Sequence, residues 1–351
     1  MKISKITISR QNNFDLIRLL GALQVAILHA AYHLDVDIDG IKFFLKYIPG
    51  VPIFFTISGF LIASSFQQSK SLVHYFVNRA LRIFPALWAC FIFTSLLLIS
   101  FGVVTFRNVF SLQFLTWVTT QLSFFQFYTP DMLKSWGTGN PNGSLWTIPV
   151  EMQFYMFLPL CGLLFAKIDI KFKLAIFIVI SIVCNHFLNG REDTTALKLA
   201  GVSLFPFLYN FLIGSIIYYQ WNELKHWFEG KILWWFLVFV VYCVVFRAMP
   251  EYYPNLLGYG ANFILSCFII SAAFSVPNLS DKLLKKTDVS YGVYIYHMPI
   301  INSLIALKLM NDYFYMALAL IFTVLLSFIS WFLIEKRAIA NKKRIAEKFS
   351  K

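Results

Sequence analysis

Arg18 and His29 stand inside the first apolar run of the chain, LIRLLGALQVAILHAAYHL. An arginine in hydrocarbon costs about 2.5–3.5 kcal/mol on insertion scales, so a membrane span that carries one has a use for it. The two residues lie eleven positions apart. On a helix that is three turns plus about 20°, so both leave the same face, separated by roughly 16 Å along the axis. Imidazole, with a reference pKa of about 6.5, accepts a proton at neutral pH, which makes His29 the candidate base or nucleophile. His33, four positions on, shares its face nearer the outer end.

A short set of other polar residues could join that chemistry. Arg79 and Arg82, in YFVNRALRIFPALW, are three apart and so neighbours on a helix face. They read either as positive-inside anchors at the start of the third span or as a clamp for phosphate oxygens. Glu151, in SLWTIPVEMQFYMFLPL, is a carboxylate inside an apolar run and needs a partner. It can pair with Arg18, or it can orient and activate a histidine. His297, in SYGVYIYHMPI, lies about seven residues, roughly 10 Å, into its span, where a tyrosine hydroxyl could satisfy it. Ser58 and Gly59, in FFTISGFLIASS, have no GxSxG elbow around them and suit close helix packing.

These residues need a membrane scaffold to hold them. Of the 351 residues, 59% are hydrophobic, 19% aromatic and only 13% charged, and the apolar ones come in runs of about twenty. That composition predicts an all-α, polytopic membrane helix bundle with no separate soluble domain, so residues 1–351 read as a single membrane domain with a basic cytoplasmic tail, 336–351. Spans are expected near 14–34, 43–66, 83–102, 145–166, 172–189, 197–219, 232–248, 257–276, 290–308 and 313–335. The run 108–128 is long enough to cross yet laced with Ser, Thr and Gln, and is read as a re-entrant or interfacial element on the outer face. With about ten crossings and both termini cytoplasmic, 21 of the 30 Lys and Arg residues fall inside and eight outside, as positive-inside topology requires. Asp288 and Glu335 are counted among the inner acidic residues in that balance.

Anionic headgroups account for most of the formal net charge of +13, an anionic cytosolic substrate would benefit from the same field, and nothing is left to argue for nucleic acid. Five cysteines, Cys90, Cys161, Cys184, Cys243 and Cys267, sit in apolar runs without close pairing and suggest neither a disulfide framework nor a thiolate metal site. No metal is expected.

Taken together and in order, FDLIRLLGALQVAILHA, VPIFFTISGFLIA, YFVNRALRIFPALW, GSLWTIPVEMQFYMFLPL, SYGVYIYHMP and the closing WFLIEKR resemble the acyltransferase family 3 membrane proteins. These are the integral-membrane O-acyltransferases of bacterial surface polysaccharides. Arg18 with His29 matches the family's arginine, ten residues, histidine motif; Arg79 with Arg82 matches its arginine-x-x-arginine motif; Glu151 matches its glutamate in the tryptophan-to-tyrosine block. Arg337 stands where the family usually has proline. The fused extracytoplasmic SGNH-type domain of many members is expected to be absent.

The resemblance implies an O-acetyltransferase in the bacterial inner membrane. Acetyl-CoA, or another acyl-CoA, is the implied cytoplasmic donor, and a hydroxyl of a cell-surface or lipid-linked saccharide is the acceptor. His29 and Glu151 would be catalytic, Arg18, Arg79 and Arg82 would hold the donor, and Ser58, Trp146, Tyr291 and His297 would contact substrate. His29 would deprotonate the acceptor directly, with Glu151 fixing its tautomer, or would itself be acetylated first. The rival reading is a transporter or flippase of a lipid-linked sugar or acyl donor, since intramembrane Arg, His and Glu also line solute paths. Against it stand the lack of duplicated halves and of paired broken helices.

Overall fold

The computed structural model describes residues 6, 8, 11–164, 169–188, 194–248 and 257–349. The expected cytoplasmic placement of 1–10, and the span ends expected at 166 and 189, fall wholly or partly outside them. The described residues are helical, joined by turns and loops, with no strand among them. In chain order the helices are α1 (Phe14–His33), α2 (Asp39–Tyr47), α3 (Gly50–Gln68), α4 (Leu72–Ser100), α5 (Leu112–Leu122), α6 (Thr147–Leu164), α7 (Ile170–Leu188), α8 (Thr195–Gly201) and α9 (Leu208–Tyr219). They continue as α10 (Trp221–Phe228), α11 (Ile232–Val245), α12 (Tyr259–Ala273), α13 (Leu279–Leu284), α14 (Ser290–Ala306) and α15 (Tyr313–Ser330). A π turn (Trp331–Glu335) then leads into α16 (Lys336–Ala340) and α17 (Lys342–Phe349).

By length and composition five stretches can cross a membrane: α1, Asp39–Gln68, α4, α7 and Tyr313–Ala340. A sixth arises if α10 and α11, bent by 80°, form one broken span. Several boundaries differ from the hydropathy reading, each for a local reason. α4 starts at Leu72 because Ser71 caps it, its hydroxyl accepting from the His74 N–H. Arg79 and Arg82 are therefore about two to three turns inside a 29-residue helix, not at its start. The run 197–219 breaks between α8 and α9 around Pro206. The carbonyls of Phe205 and Pro206 that the break frees accept from Ser181 Oγ (2.5 Å) and Asn185 Nδ2 (3.1 Å) of α7. Within 108–128 the chain makes only α5, whose rise of roughly 16 Å is too short to cross a hydrocarbon core of about 30 Å.

The residues group into two compact units. The first comprises the chain up to Gly21, Phe44–Lys70 and Val150–Thr287. Its centre is the α3–α9 pair, where small residues let two backbones meet. A Cβ on Gly59 would lie 1.8 Å from the Phe211 carbonyl oxygen, and one on Gly214 would lie 2.1 Å from that of Thr56. Phe154 of α6 stacks on Phe211 at 4.5 Å. Asn13, ahead of α1, staples the far end of α12: its Nδ2 donates to the Ser275 carbonyl (2.6 Å) and its Oδ1 accepts from the Ser280 N–H (2.9 Å).

The second unit comprises Ala22–Phe43, Ser71–Pro149 and Asp288–Lys351. Here α14 packs on α15 with Gly292 directly against Ser327, and on α4. Trp117 and Trp136 from the segment after α4 bury themselves with Leu98, Phe114 and Leu133. The chain from 137 to 147 then runs along α14, held by side chains. Asn142 Nδ2 donates to the Ile295 carbonyl (2.8 Å), Thr147 and Tyr294 share a hydroxyl contact (2.8 Å), and Asn302 Nδ2 donates to the carbonyls of Asn140 (2.8 Å) and Pro141 (3.1 Å). A buried polar network that is fully met fixes its helix in one register, and α14 carries His297.

Candidate active site

α1 presents His29 and α14 presents His297, and the two imidazoles meet. His29 Nδ1 lies 2.9 Å from His297 Nε2, with ring centroids 5.1 Å apart. The other nitrogen of His297, Nδ1, is 3.2 Å from the Val293 carbonyl one turn back on the same helix. His297 is 1% exposed, whereas His29 is half-buried, so access to the pair is through His29. His33 stands one turn further along α1, its ring 5.8 Å from that of His29. The tyrosine hydroxyl expected to satisfy His297 does not do so: its partners are His29 and the backbone of Val293 and Tyr294, while Tyr294 turns its hydroxyl to Thr147 and the Ser144 carbonyl.

The arginine pair has an acidic surround. Arg82 forms an ion pair with Asp288, whose side chain is 6% exposed. The other Asp288 oxygen accepts from the N–H and hydroxyl of Ser290, so one carboxylate both holds Arg82 and starts α14. Tyr291 donates its hydroxyl to the Ile83 carbonyl (3.3 Å), joining the same two helices beside Arg82. Arg79, half-buried, is one turn before Arg82 on α4. Glu335 ends the π turn and is 2% exposed: Ser330 donates to its Oε1 (3.0 Å), while Oε2 is enclosed without a hydrogen bond. Asp288 and Glu335 are thus buried groups with partners inside the protein.

In the first unit, Glu151 is the fifth residue of α6. Its Oε1 accepts from the hydroxyls of Tyr155 (2.6 Å) and Ser58 (3.3 Å). Arg18 forms its ion pair with Asp15, one turn back on α1. The pairing of Glu151 with Arg18, one of the two roles open to that carboxylate, gives way to these two local arrangements. Trp146 ends the turn that leads into α6 and is half-buried. The structure therefore brings together His29 with His297, Ser58 with Glu151, and Arg82 with a residue outside the expected set, Asp288. Tyr155, Asp288 and Glu335 have no place among the site residues expected from the sequence. The signal for Asp288 was its place two residues ahead of the serine that begins a helix, and for Glu335 a carboxylate ending an apolar run.

The comparisons with known proteins agree with one another. The family model described as an acyltransferase domain matches residues 11–334. The chain is 32% identical to Nodulation protein 10 of Rhizobium leguminosarum bv. viciae over 94% of its own length and 93% of the relative's. It is 28% identical to the O-acetyl transferase of Shigella phage Sf6 over 95% of this chain and 97% of that protein. A third relative, the peptidoglycan O-acetyltransferase OatA of Listeria monocytogenes, is 24% identical over 72% of this chain, which spans 44% of that protein. No solved structure matches.

Proposed function

The chain belongs to acyltransferase family 3, and we propose that it moves an acetyl group from cytoplasmic acetyl-CoA to a hydroxyl of a cell-surface or lipid-linked saccharide at the outer side of a bacterial inner membrane. Relatives that bear the names O-acetyl transferase and peptidoglycan O-acetyltransferase support the reaction type. The observation that carries the reading is the His29–His297 contact, which places an imidazole with one nitrogen left over on an apolar helix long enough to cross a membrane.

In this reaction the acceptor O–H bond breaks, its proton passes to His29, and the oxygen attacks the thioester carbonyl carbon. The C–S bond then breaks, and the thiolate departs with the electron pair and takes the proton back from His29, so the ester and the free thiol form with no net proton release. Arg79 and Arg82 would meet the donor's phosphates with their guanidinium forks, and Arg18 would offset negative charge on the donor. Glu151 would hold the Ser58 and Tyr155 hydroxyls in place for substrate, with Trp146 offering a face for a sugar ring. The topology proposed is a single membrane domain of ten crossings with both termini cytoplasmic and 108–128 at the outer interface among membrane lipids.

The test is transfer by detergent-purified protein from acetyl-labelled acetyl-CoA to surface glycan extracted from a host lacking the gene. Wild type should deliver label as alkali-labile ester, and His29→Ala should abolish delivery while remaining in the membrane. Near-normal turnover by His29→Ala would remove the assignment. Wild type that leaves the thioester intact would point to a transporter.

A further inference from the structure

A hydrogen bond between two imidazoles has a direction, and the neighbour of His297 sets it. The Val293 carbonyl can only accept, so the nitrogen facing it, His297 Nδ1 at 3.2 Å, bears the proton. A neutral imidazole has one N–H, which leaves His297 Nε2 bare and able only to accept. The nitrogen 2.9 Å away, His29 Nδ1, must then be the donor. The chain of bonds ends at His29 Nε2, which is left with its lone pair. From this geometry we infer that His297 is a positioning residue: it fixes His29 in the tautomer whose Nε2 is the base, a role that rests on the acyl-transfer reading above.

The arrangement has the logic of a catalytic triad with an imidazole where the carboxylate would be. An imidazole is a weaker orienting group than a carboxylate, but it brings no charge into an apolar interior, where an unpaired ion is costly. It also acts more strongly as the reaction proceeds. When Nε2 of His29 takes the hydroxyl proton, the Nδ1–H bond to His297 changes from neutral to charge-assisted, and such bonds are about twice as strong. The gain therefore arises as the transition state forms, and it vanishes when the proton passes to the departing thiolate. Full burial of His297 and the clamps that Asn142, Thr147 and Asn302 place on the segment along α14 keep the acceptor nitrogen from turning away.

The experiment pairs a spectrum with kinetics. Protein labelled with nitrogen-15 in histidine and held in detergent should show His29 protonated at Nδ1 and bare at Nε2, the signal being assigned by its loss in His29→Gln. His297→Leu, which removes the acceptor, should shift that residue toward the Nε2–H form. It should also lower kcat about 100-fold, in the range of a general base's contribution, with KM for acetyl-CoA changed by less than about twofold. His297→Gln puts an amide oxygen near the position of Nε2 and should recover at least about tenfold of the loss. A wild-type His29 protonated at Nε2 would overturn the inference, as would full turnover by His297→Leu, or a Gln variant no better than Leu. The spectrum needs no substrate, so wild type that fails to make ester would defeat the acyl-transfer reading separately.

Discussion

Replacing Gly59 by alanine should uncouple the first unit at its centre. The added methyl would stand 1.8 Å from the Phe211 carbonyl oxygen, where real contacts do not fall under 3.0 Å, so α3 and α9 must part by about 1.2 Å. Overpacking of this kind costs about 1–3 kcal/mol. The same movement stretches the bond from Ser215 Oγ to the Gly59 carbonyl, now 3.0 Å, which adds about 1 kcal/mol. A total of about 2–4 kcal/mol corresponds to a fall of roughly 3–5 °C in the detergent melting temperature, followed by tryptophan fluorescence. Ser58, the neighbouring residue on α3, would lose its 3.3 Å bond to Glu151, so acetyl transfer should fall further than stability alone requires. Gly214→Ala should do the same from the other side, and the double variant should lose less than the sum because one gap accommodates both methyls. A Gly59→Ala protein that melts within about 1 °C of wild type would refute the close-packing argument.

Three further outcomes follow from the second unit. Asp288→Asn takes away the charge facing Arg82 and weakens the start of α14; breaking a buried pair from one side should cost about 3 kcal/mol in denaturant-induced unfolding, and a loss below about 1 kcal/mol would show the pair to be idle. Asn302→Ala removes bonds to the Thr138 N–H and to the carbonyls of Asn140 and Pro141, about 2–3 kcal/mol in all, and should make segment 134–142 cleave faster in limited proteolysis, an unchanged rate counting against the clamp. Glu335→Gln keeps a partner for Ser330 while taking a charge out of the interior, so melting should hold within about 1 kcal/mol of wild type or rise, and a marked fall would show that the carboxylate is needed where Arg82 and Asp288 act on it.

The long helices were legible because hydrocarbon imposes a composition on them: α1, α7 and α15 start within two residues of where the apolar runs do. Caps and breaks were less so. Ser71 starts α4 eleven residues ahead of the apolar run, and a hydropathy window passes over Pro206 because the residues on either side are apolar. At the site, Arg18, His29, Glu151 and His297 announced themselves as polar groups in apolar surroundings. Their partners did not, since pairing is set by how helices far apart in sequence meet. The His29–His297 contact joins residues 268 positions apart, and the Arg82–Asp288 pair joins residues 206 apart. Glu151 found its partners nearer, in Tyr155 one turn on and in Ser58, a residue whose setting suits helix packing and which the family resemblance places at the substrate.

The π turn at Trp331–Glu335 has a meaning for chain length. A π turn holds one residue more than an α turn, so this stretch is a slack point at which a residue can be lost by converting one turn into the other. The faces of α15 above and of α16 and α17 below would keep their bearings through such a loss. The same deletion inside α15 would rotate everything below it by about 100° and swing Glu335 out of the interior. Length variation among relatives that keep the tail in place should accordingly gather at this turn.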